Sequence, residues 1–219
     1  MAAASKLMSV GVIAFSFVIG FATLYLLSPA KGEQKRKYME ELISQLINFI
    51  IFIWVGKIIL HFSIFVTDPL AILAYPSDSG AFYFAVLGVA IVLLYKSKQH
   101  KTDMRGVIQS FIPVFLVASF TYEFIQLVWN DNTYAFARLI VQALLLVLWF
   151  STLGRVQTMI QFMVLLTGWT IGMLVLWVLQ PYVSVFGYIM APWFIGLFFI
   201  FCMLFNIWTR RKRGYNGWN

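Results

Sequence analysis

Lys57 and His61 lie four residues apart in the otherwise apolar stretch LISQLINFIIFIWVGKIILHFSIFV, so on a helix they share one face. A charged side chain in such a stretch costs roughly 2.5–3.5 kcal/mol on membrane-insertion scales, and such residues face partners or cavities rather than lipid. Lysine supplies a fixed cation that can hold an anion, and histidine can move a proton near neutral pH. Glu123 is the matching acid in a second apolar stretch, with Gln126 nearby. Arg138 opens a third, and Gln142 follows it one turn on.

Depth links these residues. With helices entering at about Leu42 and Val107, a rise of 1.5 Å per residue puts Lys57 ~22 Å and Glu123 ~24 Å along their helices. The sequence therefore predicts one polar layer of Lys57, His61, Glu123, Gln126, Arg138 and Gln142, with Lys57 and Glu123 as a switchable pair. The polar loop TDPLAILAYPSDSG supplies Asp68, Tyr75, Ser77 and Asp78 as a cap over that layer. A plain structural role competes with this reading, because a buried ion pair can simply neutralise two charges and fix helix packing.

Serine, histidine and acid can be drawn together from Ser77 or Ser79, His61 and Asp68 or Asp78, but no G-x-S-x-G motif supports a nucleophile. Capping explains the same residues better. Asp68-Pro69 suits a helix N-cap with proline in the first turn, and Ser77, Asp78 and Ser79 suit the start of the next helix. His61 and His100 are the only histidines and form no ligand set, so neither a metal nor another cofactor is expected. The single cysteine, Cys202, excludes an intrachain disulfide or a two-cysteine redox pair.

The elements that must position these residues are membrane spans. The chain of 219 residues is 62% hydrophobic and 11% charged, against about 25% charged in soluble domains. The sequence therefore predicts an all-α, polytopic helix bundle forming a single transmembrane domain over residues 1–219. Its seven transmembrane helices fall at about 8–27, 42–66, 81–95, 107–128, 134–150, 159–179 and 187–208. The first is too long, and too poor in preceding cations, for a cleaved signal peptide. No intervening segment is long enough to fold as a soluble domain.

Charge sets the orientation. Lys31, Lys35, Arg36 and Lys37 follow span one, and Lys96, Lys98, Lys101 and Arg105 follow span three. Arg155 follows span five, and Arg210, Arg211, Lys212 and Arg213 follow span seven. With seven spans all of these share one side, which places the N-terminus outside and the C-terminus in the cytoplasm. The net charge of +8 is thus a topology signal, and nucleic acid is not an expected partner; membrane lipid is. Ser16 with Gly20, and Gly168 with Gly172, read as close helix contacts. Pro113 and Pro192 read as tolerated kinks, and Gln45 and Asn48 as bonds between helices.

Rhodopsins and SWEET-type sugar transporters share this layout, but span seven has no lysine for retinal, and Gln180-Pro181 reverses the Pro-Gln signature. The motifs of the lipoprotein diacylglyceryl transferase, a third seven-span layout, are not found. The expectation is a bacterial inner-membrane protein, in the cytoplasmic membrane, that binds or transports a small molecule, ion or lipid at an outward-facing polar site. The alternatives are a membrane-embedded enzyme acting on an outer-leaflet lipid or lipid-linked substrate, and a structural subunit of a membrane complex.

Overall fold

The computed structural model describes residues 2–27, 32–69, 78–99 and 104–215, with side chains over 8–27, 32–69, 78–97, 99 and 106–204. It is 86% helical. In chain order the described elements are α1 (Ala2–Leu27), α2 (Glu33–Leu60), α3 (Phe62–Thr67), α4 (Ser79–Gln99), α5 (Met104–Trp129), α6 (Thr133–Thr152) and α7 (Thr158–Leu179). The strands β1 (Ser184–Val185) and β2 (Tyr188–Ile189) and the helix α8 (Pro192–Tyr215) complete them. Among the described residues six helices, α1, α2 and α4 to α7, are long and apolar enough to cross a membrane, and the described side chains of α8 form a shorter apolar run, Pro192–Leu204. Leu26 and Val178 are each 78% exposed, in company with Ile91, Val147 and Leu204. An apolar surface of that extent has lipid as its solvent, and in lipid a helix satisfies its own backbone groups.

Helix α5 is the hub. α1, α2, α6 and α7 all pack on it, while α4 packs chiefly on α2 and α8 on α7. The registers follow from close contacts. A Cβ at Gly20 would lie 2.6 Å from the Val114 carbonyl oxygen, so α1 approaches the α5 backbone closely where the Ser16/Gly20 pair falls. Gly168 and Gly172 sit against Leu145 and Val141, which seats α7 antiparallel on α6. Gly56 lies against Ala81 and Phe84, and Glu41 bonds Lys96 at 3.0 Å, so α2 and α4 are antiparallel as well. Gln45 and Asn48 bond along α2, to Glu41 and Gln45 respectively, instead of across helices. Each side chain finds its acceptor on the preceding turn.

Two departures from the sequence reading matter for the site. The stretch 42–66 is not one helix: α2 stops at Leu60, the backbone turns at His61 (φ −121°, ψ 40°), and the short α3 follows. The backbone N–H of Asp68 donates to the Ile64 carbonyl at 2.8 Å, so this residue closes α3; residues 70–77, where a helix starting at Asp68-Pro69 would run, lie outside the described residues, Tyr75 and Ser77 among them.

The second departure is the β1–β2 ribbon, in a stretch read as loop and the start of a seventh span. Ser184 pairs with Ile189 and Val185 with Tyr188, leaving Phe186 and Gly187 as the two-residue turn. Both have positive φ, 50° and 85°, which suits the right-handed twist of a tight hairpin. The hairpin enters the bundle. Phe186 packs on Phe17 of α1 at 5.0 Å and on Phe115 and Tyr122 of α5 at 6.1 and 5.5 Å. Phe115 lies near the middle of α5, so the turn reaches about half the depth of that helix. Non-helical backbone at membrane depth must be enclosed by protein. Here Val183, Ser184, Val185 and Met190 are buried, Met190 N–H donates to the Val183 carbonyl, and Tyr83 bonds the Ile189 carbonyl and the Ala191 N–H.

Candidate functional site

The α5–α6 connection is three residues long, Asn130 to Asn132, with Asn132 capping α6 by accepting from the Tyr134 N–H at 3.2 Å. So short a link forces the two helices to lie antiparallel side by side, and residues equidistant from it meet. Glu123 and Arg138 are such residues: Arg138 Nε donates to Glu123 Oε2 at 2.9 Å, both side chains being buried. Glu123 thus takes its ionic partner from α6, whereas depth alone suggested Lys57 of α2. Tyr38 of α2 lies on Gly106 of α5, which brings the starts of the two helices together. The lateral order was what depth could not give: α2 and α6 pack on α5 without an extensive contact with each other.

The remaining expected residues divide into two groups. Gln142 lies one turn below Arg138 on the same buried face of α6. Gln126 is on α5 within reach of the Tyr122 hydroxyl, and its carbonyl accepts from Asn130 at 2.7 Å. His61 and Asp78 meet where α2 ends and α4 begins, and Lys57 lies one turn before His61 on α2. Lys57 is buried with its ammonium 5.0 Å from the centre of the Trp54 ring, and His61 Nε2 lies 3.2 Å from Asp78 Oδ2. Asp78 Oδ1 also accepts from the Ala81 N–H at 2.8 Å, so it caps α4 as the sequence suggested. Asp68 is exposed at the end of α3.

Below the ion pair the seam between α5 and α6 stays polar for one more turn and then becomes apolar. On α5 the face carrying Glu123 continues through Ser119, Leu116, Ile112 and Gln109; on α6 the face carrying Arg138 continues through Gln142, Leu145 and Trp149. Helix α7 brings Thr170 and Trp169 to the level of Gln142, because Gly172 meets Val141 and Gly168 meets Leu145. Among the described residues, six buried side-chain atoms make no hydrogen bond: Ser119 Oγ, Arg138 Nη1, Gln142 Oε1, Trp169 Nε1, Thr170 Oγ1 and Gln180 Oε1. The first five fall in this one band of α5, α6 and α7. Buried polar groups are nearly always bonded, and leaving one unmade costs about 1–3 kcal/mol. Their concentration on three adjoining helices marks a buried polar cluster.

The hairpin stands at the Tyr122 end of this cluster. Gly187 lies against the Tyr122 hydroxyl, and a Cβ there would come within 2.9 Å of it. Sequence reasoning missed Ser119, Tyr122, Thr170, Trp169 and the hairpin. The first four are residue types that spans carry everywhere, so only register could single them out. Toward the opposite end of the same seam is a concavity, lined among others by Tyr38, Gln109, Ser110, Pro113 and Trp149. Pro113 has no N–H, so the Gln109 carbonyl one turn earlier lacks its helical partner there. Ile112 and Leu116, both buried, lie between this concavity and the polar cluster. Among the described residues no His, Cys, Asp and Glu side chains are grouped to hold a metal ion. No protein-family model matches the chain, and neither a curated protein nor a solved structure is found similar to it.

Proposed function

We propose that this chain is a seven-span protein of a bacterial cytoplasmic membrane, N-terminus outside, that binds or moves a small molecule, ion or lipid at the chamber built on Glu123 and Arg138. The observation that carries the reading is the cluster of unpartnered buried polar atoms on Ser119, Arg138, Gln142, Trp169 and Thr170 around that pair. A merely structural ion pair needs none of them, and intramembrane polar residues otherwise mark ligand or ion pathways. Movement across the membrane, as opposed to binding alone, is favoured by the concavity that reaches Gln109 on the Glu123 row of α5, beyond the two apolar turns at Leu116 and Ile112. A polar cluster and a concavity separated by a short apolar barrier suit a carrier that opens to one side at a time.

The test is access to the chamber. Gln142→Cys in a Cys202→Ser background, in native membranes, is exposed to a small uncharged thiol reagent added from each side. Reaction from the hairpin side is expected. Failure to react, repeated with Ser119→Cys in folded protein, would leave these groups a structural feature.

A further inference from the structure

The charges in the chamber constrain what it takes. Glu123 and Arg138 neutralise each other, so the site as built has no net charge. Arg138 spends its Nε on Glu123 and keeps a second, unpartnered donor at Nη1. One turn below, Gln142 Oε1 is an unpartnered acceptor, and the Ser119 and Thr170 hydroxyls can act either way. A guanidinium with spare donors on a planar fork is shaped for a carboxylate or phosphate oxygen pair. An anion alone would leave the enclosed site with a net negative charge, which burial penalises heavily.

We propose that the chamber binds a carboxylate or phosphate group together with one proton. Glu123 takes the proton from the aqueous side and releases Arg138, and Arg138 then turns its fork to the anion. Charge is conserved at zero in both states. Gln142, Ser119 and Thr170 receive whatever hydroxyl or amide the ligand carries beside its acid group. The groups around Glu123 are compatible with this exchange: Arg138 faces it from α6, Tyr122 adjoins it on α5, Tyr188 of the hairpin stands beside Tyr122, and Lys57 lies at the same depth on α2. The anion belongs to a free solute or to a lipid headgroup, and the chemistry is the same for both.

This proposal rests on the reading of the chamber as a ligand site, and its test separates the two. Ser119→Cys, in a Cys202→Ser background, is reacted with a sulfonate-bearing and with a trimethylammonium-bearing methanethiosulfonate of similar size. With Glu123→Gln, which imitates the protonated acid, the negative reagent is expected to react about tenfold faster than the positive one, the scale of charge focusing in a cleft. With Glu123 retained, that preference should grow as pH falls. A ratio near one in the Glu123→Gln protein would overturn the anion proposal while leaving the ligand site standing; no reaction with the uncharged reagent would remove the site itself. The source of the anion is read by thermal unfolding of the full chain in detergent, with acetate, inorganic phosphate or phosphatidylglycerol micelles against chloride and phosphatidylcholine controls. A rise in Tm with a soluble anion, absent in Arg138→Gln, identifies a free solute, and a rise with phosphatidylglycerol alone identifies a headgroup. No rise with any of the three would overturn the proposal.

Discussion

Glu123 and Arg138 are two charges withdrawn from water whose attraction offsets much of the cost of burying them. Removing one partner strands the other, so Arg138→Gln and Glu123→Gln should each destabilise the protein, Arg138→Gln by about 3–5 kcal/mol. The double variant should recover much of that loss. Equilibrium unfolding in detergent gives the coupling energy directly. Lys57→Met combined with Glu123→Gln should instead be additive, because Glu123 is bonded to α6 and Lys57 sits by Trp54 on α2. Strong coupling between Lys57 and Glu123 would show that the ion pair described here is not the one that forms. Arg138→Lys should rescue poorly, since an ammonium cannot bond Glu123 and also offer the second planar donor. At this scale the sequence offers candidate depths for these residues, because residue count along a helix converts to ångströms. It concealed which of them meet, although the three-residue link between α5 and α6 carried that information. A tight connection outranks equal depth, and it pointed to Arg138.

Among the elements, the hairpin at 184–189 holds the clearest strain. Phe186 has φ 50°, a region that costs a residue other than glycine roughly 1–2 kcal/mol. Its ring repays that cost by packing on Phe17, Phe115 and Tyr122. Phe186→Asn separates the two effects, because asparagine accepts the backbone but forfeits the packing. Taking about 3–5 kcal/mol for losing a packed aromatic ring and restoring ~1 for the backbone, a net destabilisation of ~2–4 kcal/mol is expected. Hydrogen exchange over 183–190 should quicken in step. Gly187→Ala should be harmful for a different reason, since its φ of 85° and the Tyr122 hydroxyl both oppose a Cβ. An unchanged melting temperature in both variants would mean the hairpin does not sit in the bundle. The sequence V-S-V-F-G-Y-I does alternate about a two-residue turn, which is a strand signal. It was overridden because a long apolar context reads as helix and Phe-Gly is not a usual hairpin turn. The break at His61 was hidden for the same reason, as nothing in an apolar run announces where its backbone will turn.

For the molecule as a whole, apolar runs made the helices legible, and six are long enough to cross; what remains to argue is whether α8 crosses too. Its apolar run in the sequence, 192–208, is ~25 Å long against a ~30 Å hydrocarbon core. The hairpin reduces the distance required. Ala191 bonds the Tyr83 hydroxyl, and Tyr83 is four residues into α4, so α8 begins ~6 Å below the end of that helix. Helix α8 then continues as far as Tyr215, carrying Arg210, Arg211, Lys212 and Arg213 with it. If α8 crosses, those four cations join Lys35, Arg36, Lys37, Lys96 and Arg155 at one end of the bundle, and Asp68, Asp78 and Asp131 occupy the other. If it does not, four cations stand on the acidic side, against the usual charge bias. Cysteine labelling decides the matter in a Cys202→Ser background. Thr133→Cys, beside the α5–α6 link, should react with an impermeant maleimide in intact cells. Gln157→Cys, between α6 and α7, should react only after permeabilisation. A phosphatase that is active only outside, fused after Asn219, should then be inactive. An active fusion with the same two labelling results would leave α8 on the outer side and reduce the bundle to six crossings. Reversed labelling would invert the orientation and turn the chamber toward the cytoplasm, and the proton that accompanies the anion would then come from within the cell.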